Sequence, residues 1–521
     1  MTTAWNNGAI VDIASPRQFR REATPLWLAT ACVLLGYPHP RLTEPFHYAD
    51  LGCGSGFTAL TVAAAFPHAE VWGFDINPVN IELGEALAEA AGLTNIRFRE
   101  ASFAGLVSDP PADLPAFDFM IAESVLSILP PEGQADLFTL FARHARAGGL
   151  VYLGYDTATG LTELAPVQTL MRVLYDAGGD TSDFAVPEII AYLEQLRTGG
   201  AAYFTHNPVM ERHLATFRAA PAHDIALTFL NRDWNPLMFA DVASAMAEAR
   251  CDFLGRATLQ ENVAWACAPE GMAALLEEAA NVRIRETMQD IGARTVYRRD
   301  IFRRGLKFPS VAEHRARQEA LTIAATGQPL GTLPSWQNAI PADPELYQPL
   351  ADALLAGPLS AAAAARIGML ADCPFEETTN AIAMLIASGH AHPVMPGGIA
   401  AAPGISCLNA ALIAAITSGE DLPALMSPLL GAAIAVSPLE ALLIGALSDG
   451  GPDDLDRLTG VVASAMRTGG RQVTHNGVVV EDETQARTVL RDAVADGLAR
   501  RVPLFRRLGL LPDQAAAASI P

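Results

Sequence analysis

The chain has 521 residues, too many for one ordinary domain, and this length predicts roughly three or four domains. It carries 35 basic and 57 acidic residues, and the resulting net charge of −22 argues against binding to nucleic acid or to an anionic membrane surface. Half of the residues are hydrophobic, which excludes a largely disordered chain.

Residues 1–160 alternate short apolar runs with helical stretches. The strand candidates are HYADL, EVWGFDINP, NIRFREASF, FDFMIAES and GGLVYLGYD. This order predicts an α/β fold in which a Rossmann-like, mostly parallel sheet is covered by helices. Ligands of such sheets bind at the carboxyl ends of the strands.

The next regions complete this core. Residues 161–235 are helical and are predicted to form an insertion. Residues 236–305 contain two further strand candidates, CDFLGRATL and TVYRRDIFRRG, which would bring the sheet to seven strands. Residues 306–343 are rich in proline and glycine and are predicted to be a linker.

Residues 344–400 are predicted to form a winged-helix-like module of three helices and a strand. Its candidate recognition helix, Glu376 to Ser388, has no Arg or Lys and offers mainly Asn380 to a DNA groove. A DNA reader needs basic or amide side chains there, so we interpret this module as a packing unit.

Residues 401–521 are predicted to be mainly helical. The apolar stretch 426–447 is interpreted as two helices of a soluble domain, with a capping box starting at Ser437, and not as a membrane span. A hairpin is predicted around Asn476 and Gly477.

The six cysteines are scattered, without CxxC pairs or zinc-finger spacing. This pattern favours reduced thiols in the cytoplasm, and the first residues lack the basic and apolar regions of a signal peptide. No metal site is predicted. A homodimer is compatible with the sequence.

The strongest motif is the loop that follows the first strand. Asp50 ends the strand, and the loop then reads Gly52-Cys53-Gly54-Ser55-Gly56 before a helix. Glycines allow a close approach of ligand and backbone, and a helix N-terminus offers N–H donors. Asp75 ends the next strand, where a carboxylate can accept hydrogen bonds from both hydroxyls of a ribose.

Two kinds of cofactor are compatible with such a loop. The dinucleotide fingerprint is G-x-G-x-x-G, whereas here the third glycine comes one residue earlier and Phe57 takes its place. S-adenosylmethionine has no pyrophosphate and carries an ammonium group that Asp50 could face. The pattern favours S-adenosylmethionine. A nicotinamide or flavin cofactor and a domain without a site are the alternatives.

These motifs resemble those of class I S-adenosylmethionine-dependent methyltransferases. DLGCGSG is similar to their first motif, and GFDINP, with Asp75 and Ile76, to their second. The resemblance implies that Ser102 and Phe103, in the third motif, contact the adenine. FDFMIAES is similar to the fourth motif, and the resemblance implies that Glu123, at the end of the fourth strand, also contacts the cofactor.

Later segments resemble the bacterial methyltransferases that carry a methyltransferase regulatory domain, a group that includes rickettsial protein-lysine methyltransferases. The segments are VYLGYDTATG, FLNRDWNPLMFADVA, GRATLQEN and YRRDIFRRG. The resemblance implies a protein-lysine acceptor.

The chain also departs from this group. It has AIVDIASPRQFRREATP instead of a tyrosine-rich segment, Glu123-Ser124 instead of His-Gly, and Leu227-Thr228 instead of His-Glu. These three differences should lie on the acceptor side of the site. A fourth, Ser102 in place of an acid, belongs to the third motif.

We predict that Glu123, Tyr155 and Asp156 are catalytic, because they end or follow the fourth and fifth strands. For Glu123 the alternative is a solvated carboxylate at a helix start, and for the other two a core aromatic and a helix cap. Asn231 and Trp234 are predicted to contact the acceptor, although a packing corner is the alternative.

Three functions remain open on the sequence. The first is a methyltransferase that acts on a protein lysine, the second a methyltransferase for a small molecule or a glycan, and the third a cofactor-binding protein without catalysis. Lys307 is the only lysine, so self-modification would have a single side-chain target.

Overall fold

The computed structural model describes residue 6 and residues 8–305, 307–395, 403–422, 424–448, 454–475 and 478–512. Within these ranges no helix combines the length and the apolar character needed to cross a bilayer.

A seven-stranded sheet forms the centre of the N-terminal half. Its strands are β1 (His47–Leu51), β2 (Glu70–Asp75), β3 (Ile96–Glu100), β4 (Phe117–Glu123), β5 (Ala145–Asp156), β6 (Cys251–Arg256) and β7 (Tyr297–Arg304). They lie in the order β3-β2-β1-β4-β5-β7-β6, and β7 runs antiparallel to both of its neighbours. The predicted α/β fold with a mostly parallel sheet is confirmed.

Helices cover both faces of this sheet. In the core they are α1 (Pro25–Leu35), α2 (Phe57–Ala65), α3 (Pro78–Ala90), α4 (Phe103–Ser108), α5 (Pro131–His144), α12 (Phe239–Glu248), α13 (Ala264–Cys267), α14 (Ala273–Glu277) and α15 (Val282–Ala293). Between β5 and α12 lies the helical insertion. Its helices are α6 (Ala158–Leu161), α7 (Ala165–Ala177), α8 (Ser182–Thr198), α9 (Ala202–His206), α10 (Val209–Ala219) and α11 (Ala222–Phe229).

The C-terminal half follows β7. Its elements are α16 (Val311–Ala320), β8 (Thr322–Ala325), β9 (Thr332–Leu333), β10 (Ile340–Pro341), α17 (Pro344–Ala356), β11 (Leu359–Ser360), α18 (Ala361–Ala364), α19 (Phe375–Ala387), β12 (Ala391–Val394), α20 (Pro403–Thr417), β13 (Ala424–Ser427), β14 (Ala432–Ala435), α21 (Pro438–Ser448), α22 (Leu455–Thr468), β15 (Thr474–His475), β16 (Val478–Val479), α23 (Glu483–Asp496) and α24 (Val502–Arg507).

This half differs from the sequence prediction in two places. The expected linker at 306–343 contains α16 and three short strands, and β8 pairs with both β11 and β12. The stretch 426–447 is a hairpin of β13 and β14 followed by one helix, because Gly431 adopts a left-handed backbone between the strands. The capping box at Ser437 is present, since Ser437 and Glu440 exchange hydrogen bonds of 2.7 and 3.2 Å.

Two further predictions concern turns and the small helical module. The strands β15 and β16 pair antiparallel, as a hairpin requires, but Asn476 and Gly477 at its turn lie outside the described residues. Helices α17 to α19 pack with the small sheet β11-β8-β12. The segment after β12, where a wing would follow, also lies outside the described residues, so the winged-helix assignment stays a prediction.

The C-terminal half packs directly behind the first loop of the core. Helix α20 lies across α2 so closely that a Cβ at Gly404 would come 2.9 Å from the carbonyl oxygen of Ala64. One hydrophobic core therefore runs from Leu60 and Tyr152 through this contact to Leu408 and Leu412. The opposite face of the sheet has a separate core that includes Tyr155.

Candidate active site

The glycine loop after β1 has a backbone that other residues tolerate poorly. Gly52, Gly54 and Gly56 have φ angles of +79°, +56° and +71°. A Cβ at Gly52 would lie 2.2 Å from Val125, and a Cβ at Gly56 would lie 2.2 Å from Phe98. Both the left-handed conformation and the close contacts therefore require glycine.

The amides of this loop are already engaged within the protein. Gly52 and Cys53 donate to the carbonyl oxygen of Phe74 at 2.8 and 2.9 Å, and Gly54 donates to Asp75 Oδ2 at 2.8 Å. These N–H groups are not available to a phosphate, in contrast to our expectation of free donors. The loop thus presents few donors and several carboxylates, which favours a cationic ligand over a dinucleotide.

Asp75 is held firmly at the end of β2. Its Oδ1 accepts hydrogen bonds from Asn77 N–H at 2.9 Å and from Asn80 Nδ2 at 3.1 Å. Asn77 also caps α3, because its side chain accepts a hydrogen bond from Val79 N–H. Together with the Gly54 amide, these donors occupy three of the roughly four lone-pair directions of the carboxylate, so about one direction is left for a ribose hydroxyl.

Asp50 is 6% exposed, and no described residue donates a hydrogen bond to its carboxylate. Burial raises the pKa of Asp50 to about 7, and the neighbouring charges of Asp75 and Glu123 add to this shift. A buried carboxylate of this kind is stabilised by a nearby cation. The ammonium group of S-adenosylmethionine supplies such a charge.

A cavity of about 670 Å³ opens at the carboxyl edge of the sheet. This volume lies within the range of sites for small ligands. The predicted cofactor residues Asp50, Gly52, Cys53, Gly54, Asp75, Ile76, Ser102, Phe103 and Glu123 all line it. Gly56 supports the loop from behind, and burial raises the pKa of the Cys53 thiol, which disfavours a nucleophilic use.

Residues 8–20, which we term the strap, cross the cavity without forming a helix or a strand. The strap is anchored on the core, where Ser15 N–H donates to Asn80 Oδ1 at 2.8 Å, and on the insertion, where Ile10 N–H donates to Asn231 Oδ1 at 2.9 Å. Asn231 therefore lines the cavity and also holds the strap.

The three segments that differ from the related methyltransferases meet at this cavity. Strap residues line it together with Glu123 and Ser124 and with Leu227 and Thr228 of α11. The convergence places these differences around one pocket, and the strap also touches the glycine loop, because Ser15 lies 2.9 Å from the position of a Cβ at Gly54.

Glu123 ends β4 and is 12% exposed. Its Oε2 accepts a hydrogen bond of 2.6 Å from the Tyr152 hydroxyl, and its Oε1 lies 3.7 Å from Arg299 Nε and 3.9 Å from Arg20 Nε. The carboxylate is packed against Gly154, where a Cβ would come 1.9 Å from Oε2. Two guanidinium groups and a phenol thus hold one carboxylate at the cavity.

Ser124 has a φ of +62°, a conformation that is uncommon for a residue with a side chain and that stores strain. Its amide donates to the carbonyl oxygen of Gly154 at 3.0 Å, and its hydroxyl lies 2.8 Å from the hydroxyl of Tyr297. These contacts hold the chain in the turn that directs Glu123 and Ser124 to the cavity.

The structure does not bring Tyr155 to the cavity, and this corrects our prediction. Tyr155 is fully buried on the other face of the sheet, and its hydroxyl donates to Asp300 Oδ2 at 2.6 Å. There it joins a buried ion cluster of Arg256, Arg298, Glu261, Glu286, Asp290 and Asp300. A hydroxyl engaged there is not placed to position an acceptor.

Asp156 and Trp234 also lie outside the cavity lining. The Trp234 indole N–H donates to Asp156 Oδ2 at 2.8 Å and so fastens the end of the insertion to β5. Burial raises the pKa of Asp156 to about 6, and the charge of Glu123 adds to the shift. For Trp234 this contact corresponds to the packing corner that was the alternative interpretation.

Sequence reasoning missed four residues around Glu123, namely Tyr152, Gly154, Tyr297 and Arg299. Strand alternation was the available signal, because Tyr152 and Gly154 share one face of β5 and Tyr155 has the other. No local sequence signal indicated that Tyr297 and Arg299 of β7 lie near Glu123, because their positions depend on the antiparallel pairing of β7 with β5. Among the described residues, no group of three or more His, Cys, Asp or Glu side chains is arranged to hold a metal ion.

Comparison with known proteins agrees with this site. Residues 49–149 match the family model of a methyltransferase domain, and residues 221–304 match that of a predicted methyltransferase regulatory domain. An uncharacterized protein of Synechocystis sp. is 27% identical over 97% of this chain and 99% of its own length. Trans-aconitate 2-methyltransferase of Methylobacterium nodulans is 35% identical over 25% of this chain and 45% of that enzyme.

Among solved structures, PKMT2 from Rickettsia typhi in complex with AdoHcy aligns with a TM-score of 0.67 and 14% identity, covering 95% of this chain and 99% of that one. This likeness shows a shared fold along nearly the whole chain. The chain contains an S-adenosylmethionine-dependent methyltransferase domain, which the family model matches over residues 49–149. It carries a methyltransferase regulatory domain, and its fold is that of the rickettsial protein.

Proposed function

We propose that the methyl acceptor is the side-chain amine of a lysine in a protein. The observation that carries this proposal is the charge of the cavity. Beyond the cofactor carboxylates Asp50 and Asp75, its lining includes four more, whereas its guanidinium groups are Arg20 and Arg232. The four are Glu123, Glu132, Asp136 and Asp224.

A cavity with this excess of carboxylates attracts a cation and repels an anionic acceptor. A lysine is the amine-bearing side chain that fits this charge. The rickettsial protein of the same fold bears the name PKMT2, which supports the same class of acceptor. Trans-aconitate, the acceptor named for two other relatives, is anionic, and these enzymes match only 25% and 30% of this chain.

Within this proposal Glu123 is the catalytic residue. S-adenosylmethionine supplies an electrophilic methyl group on a sulfonium. The amine forms a bond to this methyl carbon, the bond from sulfur to carbon breaks, and its electron pair stays on sulfur. Glu123 orients the amine through a hydrogen bond and accepts its proton. Tyr152, Arg299 and Gly154 act as positioning residues for the Glu123 carboxylate.

The first test is the variant Glu123→Gln. We expect turnover to fall at least about 100-fold, because the amide cannot accept a proton, while the Kd for S-adenosylhomocysteine changes less than about threefold. Glu188→Gln is the matched control, since Glu188 is exposed on α8 and makes no ion pair within the described residues. Unchanged turnover in Glu123→Gln would contradict the assignment.

The second test identifies the acceptor. The Lys307→Arg variant is incubated with methyl-labelled S-adenosylmethionine and cell lysate, so that labelling of its own exposed lysine does not contribute. We expect methyl-lysine in the acid hydrolysate of the protein fraction. Label in the small-molecule fraction or in a glycan would instead support the second function. No incorporation despite tight cofactor binding would support a protein without catalysis.

A further inference from the structure

A second cavity, of about 290 Å³, lies between the regulatory region and the α17–α19 module. Its apolar walls include Trp265 of α13, Leu333 of β9 and Ile340 of β10. Its polar end is formed by Tyr347 with Asp343 and Glu377. We infer that this pocket binds the alkylammonium group of a lysine side chain, methylated or not, on a partner protein.

Tyr347 provides the first argument. The residue is only 5% exposed and lines the pocket, yet its hydroxyl has no hydrogen-bond partner among the described residues. Asp343 and Glu377 line the same pocket as Tyr347, and burial together with their charges raises the pKa of Tyr347 to about 12. The ring is buried while the hydroxyl faces the pocket, where it is available to accept a hydrogen bond from a ligand.

Charge provides the second argument. Asp343 and Glu377 line the pocket, no Lys, Arg or His lines it, and neither carboxylate forms an ion pair within the described part of the chain. Asp343 accepts a hydrogen bond from the amide of Glu345, which leaves its second oxygen available. A cation placed between these two carboxylates would be stabilised by both.

Trp265 provides the third argument. It is 47% exposed, which is unusual for so large an apolar side chain, and it forms a wall of the same pocket. An aromatic face attracts an ammonium group, and the apolar walls suit the methylene stem that carries it. Arginine would reach the same groups, but a volume of about 290 Å³ suits one narrow side chain with a compact head.

The charge of the α19 surface is compatible with a cationic ligand in this pocket. This helix lacks Arg and Lys, and it contributes Glu377 and Asn380 to the lining. A surface of this charge repels a phosphate backbone and fits a basic protein segment. The inference concerns binding alone, so it does not depend on the acceptor proposed for the catalytic cavity.

The test uses three small probes and the full chain. The probes are Nα-acetyl-lysine methylamide, its Nζ-trimethyl form and the norleucine analogue, which has the stem without the charge. Binding is followed by the indole N–H signals of ¹⁵N-tryptophan-labelled protein, and Trp265 is assigned with Trp265→Phe. We expect saturable shifts of the Trp265 signal with both cationic probes, at a Kd at least about fivefold lower than for norleucine.

Two variants complete the test. Trp265→Ala and Glu377→Gln should each weaken binding of the cationic probes at least about fivefold. Both residues are surface-exposed, so we expect an unchanged Kd for S-adenosylhomocysteine, which controls for folding. Equal binding of norleucine, no saturation by any probe, or full binding by both variants would overturn the inference.

Discussion

The two faces of β5 carry similar hydrogen bonds with different consequences. Tyr152 and Tyr155 each donate a hydrogen bond of 2.6 Å to a carboxylate, the first to Glu123 and the second to Asp300. Glu123 lies at the cavity, whereas Asp300 lies inside the buried ion cluster. The same kind of hydrogen bond thus orients a carboxylate at the cavity on one face and stabilises the buried core on the other.

The difference comes from what surrounds each carboxylate. Asp300 is completely buried and is bound by Arg298, which also binds Asp290 and Glu286. Glu123 has only loosely spaced guanidinium groups, at 3.7 and 3.9 Å, and faces open volume. The carboxylate on one face is therefore enclosed by buried charges, whereas the carboxylate on the other face is held at the edge of a cavity that a ligand can enter.

The largest expected effect is on the closed face. Arg298→Met leaves Asp300, Asp290 and Glu286 with fewer buried positive charges, so we expect the free energy of unfolding to fall by about 3–5 kcal/mol. Urea unfolding measures this loss. Arg491→Met is the control, because Arg491 forms an exposed pair with Asp456 and should cost less than about 1 kcal/mol. Similar losses in both variants would mean that the buried ion cluster contributes no more to stability than an exposed ion pair does.

The second prediction addresses the open face. Gly154→Ala places a Cβ 1.9 Å from Glu123 Oε2 and 2.4 Å from the Tyr297 hydroxyl, so both side chains must move. We expect turnover to fall about 100-fold, as a displacement of about 1 Å near the reacting groups can do, with the Kd for S-adenosylhomocysteine nearly unchanged. Gly179→Ala is the control, since nothing lies within 4 Å of its new Cβ. Normal turnover in Gly154→Ala would show that the Glu123 geometry is not critical.

The third prediction compares the two tyrosines directly. Tyr152→Phe and Tyr155→Phe each remove a hydrogen bond to a carboxylate and should each cost about 1.5–3 kcal/mol of stability. Only Tyr152→Phe should also lower turnover, by about tenfold, because only this hydroxyl fixes Glu123. Steady-state kinetics and urea unfolding on both variants check this. A turnover loss in Tyr155→Phe alone would restore Tyr155 as the catalytic tyrosine.

The cofactor half of the site was predictable because its constraints are local. Asp50, the glycine loop and Asp75 lie within one βαβ unit, where the strand ends and the positive φ angles follow from a short sequence. The same holds for the capping box at Ser437. Each of these features depends on residues within a few positions of one another.

The acceptor half was harder to predict because its residues are distant in the sequence. Arg299 and Tyr297 reach Glu123 only through the antiparallel pairing of β7 with β5, and Asn231 meets the strap across 221 residues. Tyr155 is predicted from its place at the end of the strand pattern, but strand alternation puts it on the face opposite to Tyr152 and the cavity.

The smallest effect concerns pH and Asp50. The pKa of Asp50 is raised to about 7 by burial, Asp75 and Glu123, from an ordinary value near 3.9. Because the folded state favours the protonated carboxyl, the ligand-free protein should lose stability as pH rises through 7. Ligand binding should show the opposite trend, since an ammonium group needs the ionised form.

We therefore expect the Kd for S-adenosylhomocysteine to fall about tenfold between pH 6 and pH 8. The control ligand is 5′-methylthioadenosine, which lacks the ammonium group and should show less than about a twofold change. Calorimetry on both ligands measures this, and Asp50→Asn should abolish the trend. Glu123→Gln should move its midpoint to lower pH, because the charge of Glu123 contributes to the shift. Equal pH profiles for the two ligands would mean that Asp50 does not face the ammonium group. If Glu123→Gln left the midpoint unchanged, the charge of Glu123 would not influence the pKa of Asp50.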